Sequence, residues 1–170
     1  MFRAKARITW GFLILVCLFL PGSPLRGALK QGANLPDLKA FGLQGPLPDT
    51  HGKVVLLDFW ASWCAPCKAS FPEMEKLYDA YSGRGFTIVA VSVDEKRQNM
   101  ERFAREMKVS FPAVWDARQK LVAAADVRTM PTSFLVDRAG HVRFVHDGFR
   151  GEQTVRQYRL EIERLLKEAQ

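Results

Sequence analysis

The residues best equipped for chemistry in this 170-residue chain are two cysteines, Cys64 and Cys67, separated only by Ala65 and Pro66. Such a pair has three uses: a covalent staple, half of a metal site, or a dithiol that exchanges electrons with other disulfides. The staple is the poorest of them, because closing so short a loop removes little entropy from the unfolded chain. A tetrahedral zinc site needs two further ligands. No second C-x-x-C and no H-x-x-x-H occurs, and His51, His141 and His146 are scattered, each read as a surface residue rather than a ligand. Cys17 lies in an apolar run and reads as a small hydrophobe. Redox exchange is the chemistry left, and it calls for no metal and no cofactor beyond the disulfide that the pair itself forms.

A thiol becomes a good nucleophile only where its thiolate is stabilised, so the elements around the pair decide its use. Lys53 to Trp60, KVVLLDFW, is a continuous apolar run expected to form a strand buried on both faces. Phe71, Met74, Leu77, Tyr78 and Tyr81 then recur at helical spacing, and Gly83 and Gly85 end that helix. The cysteines fall at the junction. Cys64 is expected at the helix N-terminus, where unpaired backbone N–H groups and the helix dipole favour an anion, as the exposed nucleophile. Cys67, three residues further, turns to the same side but deeper, as the resolving thiol. Pro66 presets a helical φ and removes one N–H that would solvate the Cys64 thiolate, which tilts the pair toward acting as a reductant. Asp58, in the middle of the apolar strand, faces desolvation. Burial raises a carboxyl's pKa toward neutrality and makes Asp58 the local proton acceptor when Cys67 attacks.

Beyond this unit the chain alternates between strand-like and helix-like segments. Phe86 to Val93 is a second buried strand; Met100, Phe103, Ala104 and Met107 mark one face of a helix. Ala113 to Asp116 leads into a strand, and Gln119 to Ala125 forms a short helix. Thr132 to Val136 and His141 to Phe149 read as two strands joined by a turn over Asp137 to Gly140, and Val155 to Leu166 as a closing amphipathic helix. Leu38 to Leu43 has strand potential. The order predicts an α/β fold with a mixed central sheet, parallel at first and finished by an antiparallel hairpin, with helices on both faces.

The N-terminus is of another kind. Residues 1–28 carry four basic residues and no acidic one, and Arg3, Lys5 and Arg7 precede the uncharged run Ile8 to Leu20. That is the pattern of an export signal. It is short of the roughly 20 residues of a spanning helix, and no clean cleavage site follows, so residues 1–28 read as an uncleaved membrane anchor or a cleaved signal. Residues 29–36 read as a linker and 37–170 as the domain. Either reading places the domain outside the cytoplasm, on the periplasmic side. The formal charge of +7 belongs largely to this segment: taking its four basic residues from the 25 in the chain leaves 21 against 18 acidic ones. A nucleic-acid partner is not expected from so small a surplus mixed along helices.

Taken together, WASWCAPC, Trp60 to Cys67, resembles the active-site motif of the thioredoxin fold, closest to the membrane-anchored TlpA/ResA-like thiol–disulfide oxidoreductases. The resemblance runs from about Pro36 to the C-terminus. It implies that Asp58 is the buried acid, that Pro72 is the proline within the active-site helix, and that Pro131 in VRTMPTSFLVD is a cis-proline opposite the cysteines. It also implies that Trp63, Ala65, Pro66, Met130 and Pro131 form the surface that meets a client polypeptide, and that an extra β-α unit precedes the cis-proline segment. Ala61 stands where a peroxidatic enzyme has threonine, which speaks against peroxidase chemistry. Ser70 stands where some relatives serving cytochrome c maturation carry glutamate, so that client is not implied. Ala90 stands where some thioredoxins place a basic residue facing the buried acid, which leaves Asp58 without a compensating cation.

The expected function is an extracytoplasmic protein thiol–disulfide oxidoreductase, reductive in direction. It acts as a monomer on disulfide-bearing client proteins and is resupplied by an upstream thiol donor. The alternatives are a copper or metallochaperone-like binding module on the same fold, and an interaction domain with a vestigial cysteine pair.

Overall fold

The computed structural model describes residues 29–168, so the expected anchor or signal segment lies outside the described residues. Among them the elements follow in the order β1 (Val54–Trp60), α1 (Ala65–Tyr81), β2 (Phe86–Ser92), α2 (Arg97–Met107), β3 (Ala113–Trp115), α3 (Lys120–Ala124), β4 (Thr132–Val136), β5 (Val142–Asp147) and α4 (Glu152–Lys167). The five strands form one sheet in the order β3-β2-β1-β4-β5. β1, β2 and β3 are parallel, while β4 runs antiparallel to both β1 and β5. This is the expected mixed sheet. The extra unit is α2 with β3, which adds a strand beyond β2 before the chain returns through α3 to β4.

Every residue of β1 and β2 is buried, as their unbroken apolar runs require of strands covered on both faces. One face is closed by α1, α2 and α4. Trp60 lies 4.6 Å from Phe71 of α1 and 4.8 Å from Phe103 of α2, centroid to centroid, and Phe71 and Phe103 meet edge-on at 5.0 Å. Tyr81 of α1 donates to Glu163 of α4 at 2.7 Å, which fixes those helices side by side. The opposite face carries Phe59, edge-on to Phe134 of β4 at 6.0 Å. Its cover comes from α3 and an N-terminal 3-10 turn over Leu38–Phe41, which pack on each other.

That turn corrects the strand expected over Leu38 to Leu43. The Asp37 side chain accepts the N–H of Lys39, and Gly42, at φ 68, closes the turn in the left-handed region. A local carboxylate cap and a glycine together outweigh the strand preference of the apolar residues. Residues 29–36 lie along the sheet edge: Gly32 donates to Val142 O, Val142 to Ala33 O and Leu35 to Gly140 O. α3, only five residues long, is held by Asp116, whose buried carboxylate accepts the N–H groups of Lys120, Leu121 and Val122 at 2.9–3.0 Å.

Candidate active site

The chain leaves β1 at Trp60 and enters α1 at Ala65, so four residues, Ala61 to Cys64, make the connection. Cys64 is the N-cap of α1. It keeps an extended backbone, at φ −86 and ψ 107, and its Sγ accepts the N–H of Cys67 at 3.2 Å. The sulfur occupies the position where an N-cap oxygen ordinarily sits, on the electropositive end of a 17-residue helix. Pro66 takes the second helical position and offers no N–H, so the Cys67 amide is the donor that reaches the sulfur. Cys64 and Cys67 are joined as a disulfide with Cα atoms 5.3 Å apart. In this state Cys64 keeps 5% of its surface exposed and Cys67 none. Cys67 is the deeper of the two, as expected, but the exposed Cys64 expected from the sequence is corrected: bonded to Cys67, it is buried as well.

Cys67 and Phe71 are four residues apart and share one face of α1. Phe71 packs on Trp60, and Trp60 and Asp58 alternate onto the same face of β1. Cys67 and Asp58 therefore occupy the same layer between helix and sheet. Asp58 is fully buried, and burial pushes its carboxyl up to about 7, opposed by a hydrogen bond from Ser133. Ser133 Oγ donates to Asp58 Oδ1 at 2.6 Å, while Oδ2 has no hydrogen-bond partner among the described residues. Ala90 of β2 is the register partner of Asp58, so the expected absence of a facing cation from that position is realised, and no basic group contributes to the shift.

The connecting loop has its own anchor. Asp94, just beyond β2 and 2% exposed, accepts the N–H of Ser62 at 3.1 and 3.2 Å, the Ser62 hydroxyl at 2.7 Å and the Ser92 hydroxyl at 2.8 Å. Its own carbonyl accepts from Trp115 Nε1 at 2.7 Å. Neither Asp94 nor Ser133 nor Tyr158 stands out in a reading by motif. A serine as the second residue of the fully buried strand TSFLV is the sign in the sequence that a polar partner waits in the core.

Met130-Pro131 is a cis peptide bond. It immediately precedes β4, where Thr132 pairs with Phe59, so the antiparallel register sets Pro131 level with the end of β1 from which the cysteine loop departs. Around the pair, Trp63 is 71% exposed, Ala65 and Pro66 are exposed, and Met130 is half-buried. Ser70 is buried, and its hydroxyl donates to Cys67 O at 2.9 Å. Of the histidines, His51 and His141 are exposed, whereas His146 is partly buried and pairs with Glu161 at 2.7 Å.

Residues 32–145 match the model of the AhpC/TSA family. The chain belongs to the AhpC/TSA family of thioredoxin-fold proteins. It is 36% identical over 134 residues to thiol-disulfide oxidoreductase ResA of Geobacillus thermodenitrificans, covering 77% of each chain. The ResA of Bacillus subtilis is 34% identical over 134 residues, covering 77% of this chain and 75% of that one. Among solved structures, a protein described as thiol:disulfide interchange protein DsbE from Chlorobium tepidum superposes with a TM-score of 0.72 at 34% identity, over 82% of this chain and 99% of that one. StoA from Bacillus subtilis does so with 0.57 at 30%, over 66% and 85%. The family member described here is a thiol–disulfide oxidoreductase, with its Cys-x-x-Cys pair at the start of α1.

Proposed function

We propose that this oxidoreductase works outside the cytoplasm as a reductant of protein disulfides, with Cys64 attacking, Cys67 resolving and Asp58 handling the proton. The observation that carries the reading is the Cys64 sulfur capping α1 while Pro66 withholds one of the N–H groups at that helix end. The site holds an anion, but with one donor fewer than the bare helix start provides, and a less stabilised thiolate makes the dithiol the better electron donor.

The steps follow from the layer the residues share. The Cys64 thiolate attacks one sulfur of a client disulfide, and the other client sulfur leaves as a thiolate that takes its proton from water. Asp58 accepts the Cys67 proton, Cys67 attacks the Cys64 sulfur, and the second client sulfur departs as a thiolate as the Cys64–Cys67 disulfide closes. Trp63, Ala65, Pro66 and Met130 form the surface the client meets, and Pro131, which is buried, joins it through its bond to Met130. An upstream thiol donor reduces the pair again. The basic, apolar N-terminal segment supports an extracytoplasmic site of action, held at the membrane or released by cleavage, and the domain acts as a single copy. The client is left open, because Ser70 is buried against the first turn of α1 and offers no carboxylate there.

The deciding measurement is the equilibrium potential of the Cys64–Cys67 couple against glutathione. A value near about −270 mV marks a reductant, and one near about −120 mV refutes that direction and marks an oxidant. The copper-binding reading gains no support from geometry: among the described residues no three His, Cys, Asp or Glu side chains converge on a point.

A further inference from the structure

Asp58 stands at one end of a line of three buried oxygens. Ser133 Oγ lies 2.6 Å from Asp58 Oδ1 and 2.7 Å from Tyr158 Oη, and the three residues are 0%, 1% and 2% exposed. The line joins β1, β4 and α4 across the face on which α1 lies. A serine hydroxyl carries one proton, and an ionised carboxylate only accepts. With Asp58 ionised, the Ser133 proton therefore points at Oδ1 and the Tyr158 proton at Ser133 Oγ. Both hydroxyl protons then have acceptors, and Asp58 Oδ2 is the one atom of the line left without a partner among the described residues. Running the line the other way turns the Ser133 proton toward Tyr158 and leaves the phenol proton without an acceptor, since Tyr158 Oη has no other partner among the described residues.

We propose that Tyr158 and Ser133 form a one-way hydroxyl chain that holds Asp58 as a proton acceptor and leaves Oδ2 to receive the proton of Cys67. Both are positioning residues, acting on the exchange through Asp58, and the inference rests on the reading of Asp58 as that acceptor. Burial alone drives a carboxyl toward its neutral form, in which it takes no proton from a thiol. A hydrogen bond to the charged form opposes this, and a phenol donating into the serine strengthens that bond. Other titratable groups face the line from the surrounding elements. His146 of β5 meets the Tyr158 ring edge-on at 4.9 Å and is paired with Glu161 of α4. α1 contributes Cys67 and, at its far end, Tyr81, which donates to Glu163 of α4. Burial first, then the charge of Asp58 and more weakly that of Glu161, raises the Tyr158 pKa against the lowering effect of the Ser133 hydrogen bond, which keeps the phenol protonated and able to donate.

The step served is the closing one. The Cys67 S–H proton passes to Asp58, the Cys67–Cys64 S–S bond forms, and the Cys64–client S–S bond breaks. The client sulfur takes the electron pair and is reduced, while the enzyme dithiol is oxidised.

The test uses the reduced full-length protein with 5,5′-dithiobis(2-nitrobenzoate), followed by stopped flow. The first nitrothiobenzoate anion leaves as Cys64 forms its mixed disulfide, and the second as Cys67 displaces it, so the second phase isolates the closing step as a function of pH. Ser133→Ala is expected to slow that phase at pH 7 by about tenfold, the low end for a hydrogen bond to a charged group, and to move its pH inflection upward. Tyr158→Phe is expected to do the same by about threefold, as a one-step-removed contribution. Ser133→Thr, which keeps the hydroxyl, is expected to restore the wild-type profile. In an Asp58→Asn background neither substitution has a further effect. Should Ser133→Ala not fold, Tyr158→Phe decides the matter alone. If Asp58→Asn slows the second phase but the inflection of Tyr158→Phe stays in place, the chain is refuted and the role of Asp58 stands. A uniform slowing at every pH marks a structural role and also refutes it. If Asp58→Asn leaves the phase untouched, the underlying reading of Asp58 is itself overturned.

Discussion

Replacing Asp58 by asparagine gives the sharpest test of the core geometry, because it acts on stability as well as on chemistry. The carboxyl is pushed up from 3.8 to about 7 by burial. Between those limits the unfolded chain has released this proton while the folded chain keeps it. The unfolded state then binds fewer protons, so stability falls as pH rises through the window. Below pH 4 both states are protonated and the cost is absent. Above pH 7 it is complete, and a gap of about three pH units at 1.36 kcal/mol each amounts to roughly 4 kcal/mol. Asparagine has the shape of the protonated acid, can accept from Ser133 through its carbonyl, and never ionises. Asp58→Asn is therefore expected to match the parent near pH 4 and to exceed it by up to about 4 kcal/mol at pH 8. Urea unfolding of the oxidised proteins at pH 4, 6 and 8 reads this directly, as a midpoint difference that opens to roughly 2 M at the highest pH. Comparing two variants cancels the titration of every other group. A midpoint difference that stays constant from pH 4 to pH 8 would falsify the assignment of Asp58 as a buried carboxyl that holds its proton into neutrality.

Other substitutions probe the parts separately. Cys64→Ser is expected to abolish disulfide reduction, and Cys67→Ser to accumulate mixed disulfides with clients, seen as reductant-sensitive bands on gels. Asp116→Ala removes the acceptor of three N–H groups at the start of α3, and a loss of about 2 kcal/mol in urea unfolding is expected. Phe71→Ala empties the centre of the Trp60, Phe103 and Phe111 cluster, with an expected cost of about 3–5 kcal/mol. Trp63 is mostly solvent-exposed, so Trp63→Ala should leave stability within about 0.5 kcal/mol while slowing reduction of a protein disulfide but not of a small aromatic one.

The parts of this fold legible in the sequence are those written in short range. The apolar runs of β1 and β2, the spacing of Phe71 to Tyr81 and the position of Cys64 before that helix are local patterns, and the structure reproduces them within about one residue. Leu38 to Leu43 was not legible in the same way, because a side-chain cap at Asp37 overrides the pattern of the residues it precedes. The partners of Asp58 were hidden for a different reason. Ser133 lies 75 residues away in sequence and Tyr158 a further 25, and they meet only because β4 is inserted beside β1 and α4 folds back over both. The Asp94 anchor of Ser62, across 32 residues, depends likewise on parallel pairing of β1 with β2. Periodicity reports which face a residue takes, not which residue it will find there.

The strip formed by residues 32–35 against Gly140 and Val142 has a consequence for reach. It lies beside the β4–β5 turn, level with the start of β1, whereas the cysteine loop leaves the other end of that strand. At about 3.3 Å per residue the two poles of β1 are roughly 20 Å apart. Residues 32–35 and the dithiol therefore sit at opposite poles of the sheet. The strip leaves the cysteine loop clear, so a client can dock there without displacing residues 32–35.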